Sequence, residues 1–109
     1  MKIERGEIWW VNLDPTVGRE IKKQRPCVVL SANEVNRLRA TPVVIPLTSS
    51  PDAAPPIVIP VPSAGKDSVA VIDQIRAVDK KRFLNRAGIL AANDLRNVEL
   101  AAKQILQLP

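Results

Sequence analysis

The chain has 109 residues, of which 46% are hydrophobic and 25% charged; these proportions fit one soluble globular domain and exclude a disordered chain. Sixteen lysines and arginines against eleven acidic residues give a net charge of +5, which favours a polyanionic partner such as nucleic acid or an acidic protein. The absence of histidine excludes Ser-His-Asp and Cys-His catalysis and histidine-ligated metals, and the single cysteine, Cys27, excludes an intrachain disulfide.

The first part of the chain predicts two strands joined by a charged loop. Residues 6–13 alternate as a strand on a core would, with one apolar face formed by Trp9, Val11 and Leu13. Residues 14–23 predict a loop, because they begin with Asp-Pro, contain Gly18 and then become charged. Pro26 opens the second predicted strand, residues 26–31, since a first strand position needs no ladder donor.

The middle of the chain is rich in proline and β-prone residues. Ser31 is a possible N-cap of a short helix or turn, and residues 41–48 predict a third strand. Seven of the ten prolines lie between Pro42 and Pro62. The segment PIVIPVP among them is still β-prone, which predicts edge strands and rigid loops rather than disorder.

After a turn at residues 64–66, residues 67–78 predict one long strand. Its alternating set places a carboxylate among apolar side chains: Val69, Val71, Asp73 and Ile75. Asp79 is expected to cap a helical turn, and residues 86–90 predict a last short strand.

The tail, residues 93–108, predicts a helix with Asp94 near its N-terminus and an apolar stripe of Leu95, Val98, Ala102, Ile105 and Leu106. Five or six short strands closed by this helix predict a mainly β fold, a small antiparallel barrel formed by a single domain of residues 1–109. The N-terminus lacks a signal-peptide core and no run approaches the ~18 apolar residues of a membrane span, so a cytoplasmic location is expected.

In this order, the segments GEIWWVNLDPTVGREIKKQRPCVVLS, VVIPLTSS and SVAVIDQIRAVDKKRF and the terminal helix resemble the MazF/PemK (CcdB-like) toxins, ribonucleases of toxin–antitoxin modules also called mRNA interferases. The resemblance covers nearly the whole chain. Its most specific part is the Asp-Pro loop followed by Gly-x-Glu, a spacer and Arg-Pro, reinforced by Pro-Leu-Thr and Asp-Gln.

The resemblance implies an SH3-like barrel that forms a homodimer. It also implies sequence-selective cleavage of single-stranded RNA without metal or cofactor, leaving a 2′,3′-cyclic phosphate and a 5′-hydroxyl. A further implied partner is a cognate acidic antitoxin that resembles MazE and holds the enzyme inactive.

Carried over position by position, the catalytic arginine of the family corresponds to Arg25 and its threonine to Thr48. The loop glutamate corresponds to Glu20, and the aspartate of the Asp-Gln pair to Asp73. In the PemK/Kid branch an arginine two residues before this aspartate is also catalytic. Here that position is Val71, which favours a scheme based on Arg25 and Thr48.

The residue types support the same chemistry. Negative charge builds on the phosphoryl oxygens when a ribose 2′-hydroxyl attacks its own phosphate, and a fixed guanidinium donates two parallel hydrogen bonds to them. Thr48 offers a hydroxyl, and Glu20 is a candidate base for the 2′-hydroxyl. The expected RNA-binding residues are Arg19, Lys22 and Lys23 along the backbone, with Gln74 and Arg76.

Each candidate also has a structural explanation. Arg25 could be a solvated arginine at the end of a basic loop, and Thr48 a strand-end hydroxyl. Glu20 could form an ion pair with a loop lysine, and Asp73 could pair with Arg76 or a backbone amide. Trp9 and Cys27 are expected in the core. Trp10, on the other face, is expected to cover a subunit interface or stack on a base.

Two other functions remain open from the sequence. A small β-barrel of this charge could bind nucleic acid or protein without catalysis, or could be a CcdB-like gyrase poison. The RNA motif and the assignment of proton donor and acceptor do not follow from the sequence.

Overall fold

The computed structural model describes residues 1–50 and 52–109, which form seven strands and two α-helices. The strands are β1 (Glu7–Asn12), β2 (Gln24–Val29), β3 (Val43–Ser49), β4 (Val58–Pro60), β5 (Ser68–Val71), β6 (Arg76–Ala77) and β7 (Phe83–Ile89). Helix α1 (Asn33–Leu38) follows β2, and α2 (Ala92–Leu106) follows β7. Short 3₁₀ turns occur at Pro62–Ala64, Ile72–Gln74 and Lys80–Arg82.

The strands form one antiparallel sheet in the order β4-β5-β3-β2-β1-β7, and β6 also pairs with β3. The predicted mainly antiparallel β fold with a C-terminal helix is confirmed. Within the described residues 1–50 and 52–109, no ladder joins the edge strands β4 and β7, so the sheet does not close into a barrel. Strand β4 has three residues and ends at Pro60, which cannot donate a ladder hydrogen bond.

Proline placement differs in part from the prediction. Pro60 lies on an edge strand as expected, whereas Pro26 and Pro46 lie inside the central strands β2 and β3. Pro26 is the third residue of its strand, not the first, because the pairing with β1 already begins at Gln24. Pro51 of the predicted proline cluster lies outside the described residues.

Strands β1 to β3 form a wall between two hydrophobic cores. The main core lies on the face covered by α2 and includes Ile8, Val28, Ile45, Leu47, Val98 and Ala101. The smaller core lies on the opposite face and includes Trp9, Val11, Cys27, Val29, Val44, Val78 and Phe83. The core positions predicted for Trp9 and Cys27 are confirmed, and so is the helix over the tail.

The predicted long strand over residues 67–78 is wrong. The chain pairs with the end of β3 through β5, turns at Ile72–Gln74, and pairs with the start of β3 through β6. Ile72 fills the main core at this turn, and Asp73 beside it is exposed. The expectation that Asp73 lies among buried apolar side chains is therefore also wrong, because the turn breaks the alternation.

The helix caps were predicted with mixed success. Asp79 caps the turn Lys80–Arg82 as expected, its Oδ1 accepting from the Lys81 amide at 2.8 Å. Ser31 does not cap α1, whose N-cap residue is Ala32. Its hydroxyl instead contacts the buried Asn36 side chain and accepts from the Val43 amide at 2.9 Å, which ties α1 to β3. Within the described residues, neither helix combines the length and apolar character needed to span a bilayer.

A buried carboxylate, that of Glu7 on β1, connects β1 to the neighbouring edge strand β7. Its oxygens accept from Trp9 Nε1 at 3.1 Å, from the Glu4 amide at 2.7 Å and from Arg86 Nε at 2.7 Å. Burial alone would raise the pKa of Glu7, but these hydrogen bonds and the Arg86 charge together lower the pKa below its ordinary value of 4.5.

A Glu7→Gln substitution should destabilise the protein by about 1–3 kcal/mol at neutral pH, because it leaves buried donors with a weaker acceptor. Since the pKa of Glu7 is lower in the folded state, its ionised form stabilises the fold above the unfolded-state pKa, and this contribution is lost as the pH falls through the folded-state value. The difference between variant and wild type should thus shrink in acid. Urea unfolding at neutral and acidic pH measures this difference. Glu4→Gln is the control, because among the described residues the Glu4 carboxylate contacts the exposed Lys2 alone.

Candidate active site

Hydrogen bonds join the two ends of the loop between β1 and β2. The Lys23 amide donates to Asp14 Oδ1 at 3.0 Å, and the Leu13 amide donates to the Lys23 carbonyl at 2.9 Å. Lys23 has a φ of 68°, in the left-handed region, where the chain reverses into β2. The loop therefore returns directly to the strand that carries Arg25.

Arg25 and Thr48 lie at the same end of neighbouring strands. The β2–β3 pairing runs from Val29 opposite Val44 to Cys27 opposite Pro46. Continuing this register by two residues places Arg25 opposite Thr48, and both side chains fall on the face of Cys27 because strand side chains alternate. Both residues are half-buried. In this extrapolated register, the two positions on which the sequence hypothesis depends lie at the same end of β2 and β3, just beyond the last paired residues.

The hydrogen-bonded ladder ends just before these two residues. Neither Pro26 nor Pro46 has an amide hydrogen to donate, and the pairing of β2 with β3 stops at Cys27 and Pro46. Beyond this point β3 continues its pairing with β5, where Thr48 lies opposite Val69. The Leu30 amide donates to Val43 of β3, so the alternate residues Val28 and Pro26 also face β3, and the missing amide hydrogen of Pro26 removes the next ladder donor where the polar side chains begin.

The guanidinium of Arg25 is unusual because its Nε is buried and has no hydrogen-bond partner among the described residues. A buried donor without a partner costs about 1–3 kcal/mol, so proteins rarely leave one. The residue as a whole is half-buried, so other atoms of Arg25 are reachable from solvent although Nε is not. No carboxylate in the described part of the chain forms an ion pair with Arg25.

A second guanidinium, that of Arg76, lies on the same face. Arg76 pairs with Val44 across β6 and β3, and its Nη1 lies 3.4 Å from the Leu13 carbonyl oxygen. Burial raises the pKa of the Cys27 thiol to about 12, and the nearby Arg76 charge opposes that rise. The thiol therefore stays protonated near neutral pH. Cys27 packs in the core below two cations and does not act as a nucleophile.

Two residues that are distant in the sequence, Gln74 and Arg82, hold the β1–β2 loop in place. Gln74 Oε1 accepts from the Ile21 amide at 3.3 Å. Arg82 Nη1 lies 3.4 Å from the Asn12 carbonyl oxygen and also contacts that of Asp14. The side-chain oxygen of Gln74 is thus used within the protein, and the expected binding of RNA by Gln74 stays a prediction. Arg82 was not identified from the sequence, where the only signal was its place in a basic run.

Glu20 lies on the exposed part of the loop, and its carboxylate is engaged locally. Its Oε1 accepts from the Val17 amide at 2.6 Å, while the Glu20 amide donates to the Val17 carbonyl at 3.2 Å. Within residues 1–50 and 52–109 it forms no ion pair with Lys22 or Lys23. Free carboxylate capacity remains on Oε2, so the loop can present one oxygen to a ligand while the other fixes the turn.

The remaining candidates are exposed and surround this end of the sheet. Arg19, Lys22 and Lys23 lie on the loop, and Asp73 lies on the turn next to Gln74. No ion pair joins Asp73 to Arg76 in the described part of the chain, contrary to the structural explanation of that carboxylate. The site is therefore a cationic surface with a hydroxyl and with carboxylates on the loop and the turn, a combination that suits a phosphodiester.

Comparison with known proteins agrees with this description. A family model for the PemK-like, MazF-like toxin of type II toxin–antitoxin systems matches residues 4–106. The chain belongs to this family. Among its relatives, endoribonuclease MazF9 of Mycobacterium tuberculosis is 36% identical over 97% of this chain and 98% of its own. Endoribonuclease PemK of Escherichia coli is 37% identical over 72% of this chain and 62% of its own.

Solved structures show the same fold. MazF of Deinococcus radiodurans superimposes with a TM-score of 0.85 at 24% identity, over 99% of both chains. A MazE–MazF structure from the same organism gives a TM-score of 0.81 at 23% identity over the full length of both chains.

Proposed function

We propose that this chain is an endoribonuclease toxin that cleaves single-stranded RNA sequence-selectively and without a metal ion. Family membership and relatives named as endoribonucleases support the activity. The observation that supports the mechanism is that Arg25, whose buried Nε has no partner among the described residues, lies at the same end of the sheet as Thr48, just beyond the last β2–β3 pair.

In this mechanism the ribose 2′-hydroxyl loses its proton as its oxygen attacks the adjacent phosphorus, and the bond from phosphorus to the 5′-oxygen breaks. The products are a 2′,3′-cyclic phosphate and, after the leaving oxygen gains a proton, a 5′-hydroxyl. Arg25 donates hydrogen bonds to the phosphoryl oxygens as their charge grows, and Thr48 donates to the same group. Each such donor typically contributes about 3–4 kcal/mol.

The proton transfers require a base and an acid, since the chain has no histidine. Glu20 is the candidate base, because the residue is exposed and the turn at Val17 fixes Oε1 and leaves Oε2 to a ligand. Asp73 is a second carboxylate at the same end of the sheet, next to the loop tether Gln74. A base of this kind accelerates cleavage by roughly 10²–10⁴-fold.

A cognate acidic antitoxin is the proposed protein partner. Solved neighbours include MazE–MazF structures and a mycobacterial endoribonuclease in complex with its cognate antitoxin. The net charge of +5 suits an acidic inhibitor. We also place the toxin in the cytoplasm as a homodimer, for which α2 offers the half-exposed side chains of Leu100 and Leu106.

RNA incubated with the purified protein in EDTA should be cut at one short motif, and the new 5′ ends should accept phosphate from a kinase without prior phosphatase treatment. A matched RNA with a 2′-deoxy sugar at the cleaved nucleotide should remain intact, because it lacks the nucleophile. RNA that is bound but not cut would instead indicate a binding module, and inhibition of gyrase supercoiling would indicate a CcdB-like poison.

A further inference from the structure

We propose that a second group of cations, outside the candidate active site, binds the RNA backbone beyond the scissile phosphate. This group, termed the flanking cationic surface, consists of Arg37, Arg39, Lys80 and Lys81. The inference rests on the proposed function, because it adds a substrate-binding surface to the same enzyme. The observation that supports this inference is the path of the chain between α1 and the β1–β2 loop.

The turn Lys80–Arg82 connects these two regions by direct contacts. At one end the Lys80 amide donates to the Ala40 carbonyl at 2.8 Å, next to Arg39. At the other end the Arg82 guanidinium contacts the carbonyls at the base of the β1–β2 loop. Val78 and Phe83, on either side of the turn, both belong to the smaller core. The turn therefore crosses the same face of the sheet on which Arg25 lies.

No ion pair within the described part of the chain neutralises the charges of this surface. The described residues contain ion pairs of Lys2 with Glu4, Arg5 with Glu99 and Arg86 with Glu7, and none of them includes a residue of the flanking cationic surface. Of the nearby acids, Asp79 uses a carboxylate oxygen to cap the turn, and Glu34 lies in the first turn of α1. Clustered like charges repel one another, so they favour a polyanion.

A concave shape accompanies the charge. Arg37 and Lys80 line one cavity of about 280 Å³ together with Lys2. Arg37, Arg39 and Lys81 are exposed, and Lys80 is half-buried. Two of the four cations, Arg37 and Lys80, therefore border a depression, and Arg39 and Lys81 are exposed close to them in the sequence.

The position of the surface fits RNA that leaves the active site. Thr48 lies near the end of β3 and Val43 at its start, so the surface near α1 is roughly 17 Å from the site at about 3.3 Å per strand residue. The chain's three aromatic residues are two tryptophans and one phenylalanine. Trp9 and Phe83 are buried in the smaller core and Trp10 lies on the opposite face, so bases would find no stacking partner here. Binding through phosphates alone would be independent of sequence and sensitive to salt.

The test compares the double variant Lys80→Ala/Lys81→Ala with the control Lys66→Ala/Lys103→Ala, which removes two exposed lysines elsewhere. Both are measured with a minimal RNA of the mapped motif and with a longer RNA extended on both sides, each carrying a 2′-deoxy sugar at the cleaved nucleotide. Wild type should bind the longer RNA more tightly. The Lys80/Lys81 variant should lose most of that advantage, and its slope of log K against log salt should fall by about 1.4, since each phosphate contact in single strands contributes about 0.7.

The control variant should keep the wild-type advantage of the longer RNA. An equal loss on both RNAs, or no loss on either, would overturn the proposal. Unchanged RNA binding with weakened antitoxin binding would also overturn it and assign the surface to a protein. If the wild type cuts no RNA, the proposed function fails and no motif can be mapped. Binding is then measured with oligouridines of two lengths in place of the motif RNAs. If the Lys80→Ala/Lys81→Ala variant loses the preference for the longer oligouridine, the flanking cationic surface is still supported. If the variant keeps that preference, the proposed surface is overturned.

Discussion

Replacing Arg25 with alanine is expected to reduce the rate of RNA cleavage by about 10²–10³-fold, the usual effect of removing one donor to a developing charge in a preorganised site. Arg25→Lys should recover little of this loss, because an ammonium cannot donate two parallel hydrogen bonds to a phosphoryl group. Single-turnover cleavage of the mapped motif measures the effect. Arg96→Ala, which removes an exposed arginine on α2, is the matched control and should cleave at the wild-type rate.

The stability of the Arg25 variants separates catalysis from folding. Because Arg25 Nε is buried without a partner in the described residues, its removal relieves a penalty of about 1–3 kcal/mol. Arg25→Met, which keeps most of the aliphatic stem, should therefore have a free energy of unfolding equal to or above that of the wild type while losing activity. A variant that is both inactive and clearly less stable would show that Arg25 is mainly structural.

The second large effect is expected from Thr48→Val, which keeps the shape of the side chain and removes its hydroxyl. Cleavage should fall by about 10²-fold or more if the hydroxyl donates to the phosphoryl group. Thr48→Ser should restore most of the rate. Thr41→Val, just before the opposite end of β3, controls for the loss of a half-buried threonine hydroxyl from this segment of the chain.

The combination of both variants tests whether the two side chains act on the same phosphate. Residues that act as one unit are strongly non-additive, so the double variant should be only slightly slower than Arg25→Ala alone. Fully additive losses would mean that the two groups act in separate steps or at separate places. Wild-type cleavage by Thr48→Val would falsify the proposed role of the hydroxyl.

The sequence predicted the elements whose signal is local. The tail helix follows from an apolar stripe repeated over four turns, and the cap at Asp79 follows from one side chain and the turn it precedes. The strands around Trp9 and Cys27 follow from alternation and from β-prone residues. The family resemblance added the pairing of Arg25 with Thr48, which are 23 positions apart and which no local pattern connects.

The interactions that the sequence did not predict are mostly long-range. Glu7 and Arg86 are separated by 79 positions and Gln74 and Ile21 by 53, so neither contact leaves a trace in any short window. The break after β5 was missed for another reason. Residues 67–78 alternate well enough for a strand, but Ile72 is buried in the main core, and the chain turns to place it there. Tertiary packing overrides the local pattern at that point.

The wall formed by β1 to β3 has a consequence for how such a toxin can diverge. Arg25 is mounted on a strand that is packed on both sides, the kind of backbone that opens last to solvent exchange. The positions of Glu20 and of the loop cations depend on a few hydrogen bonds outside the two hydrophobic cores. The loop can therefore drift in sequence while Arg25, the proposed catalytic group, keeps its alignment.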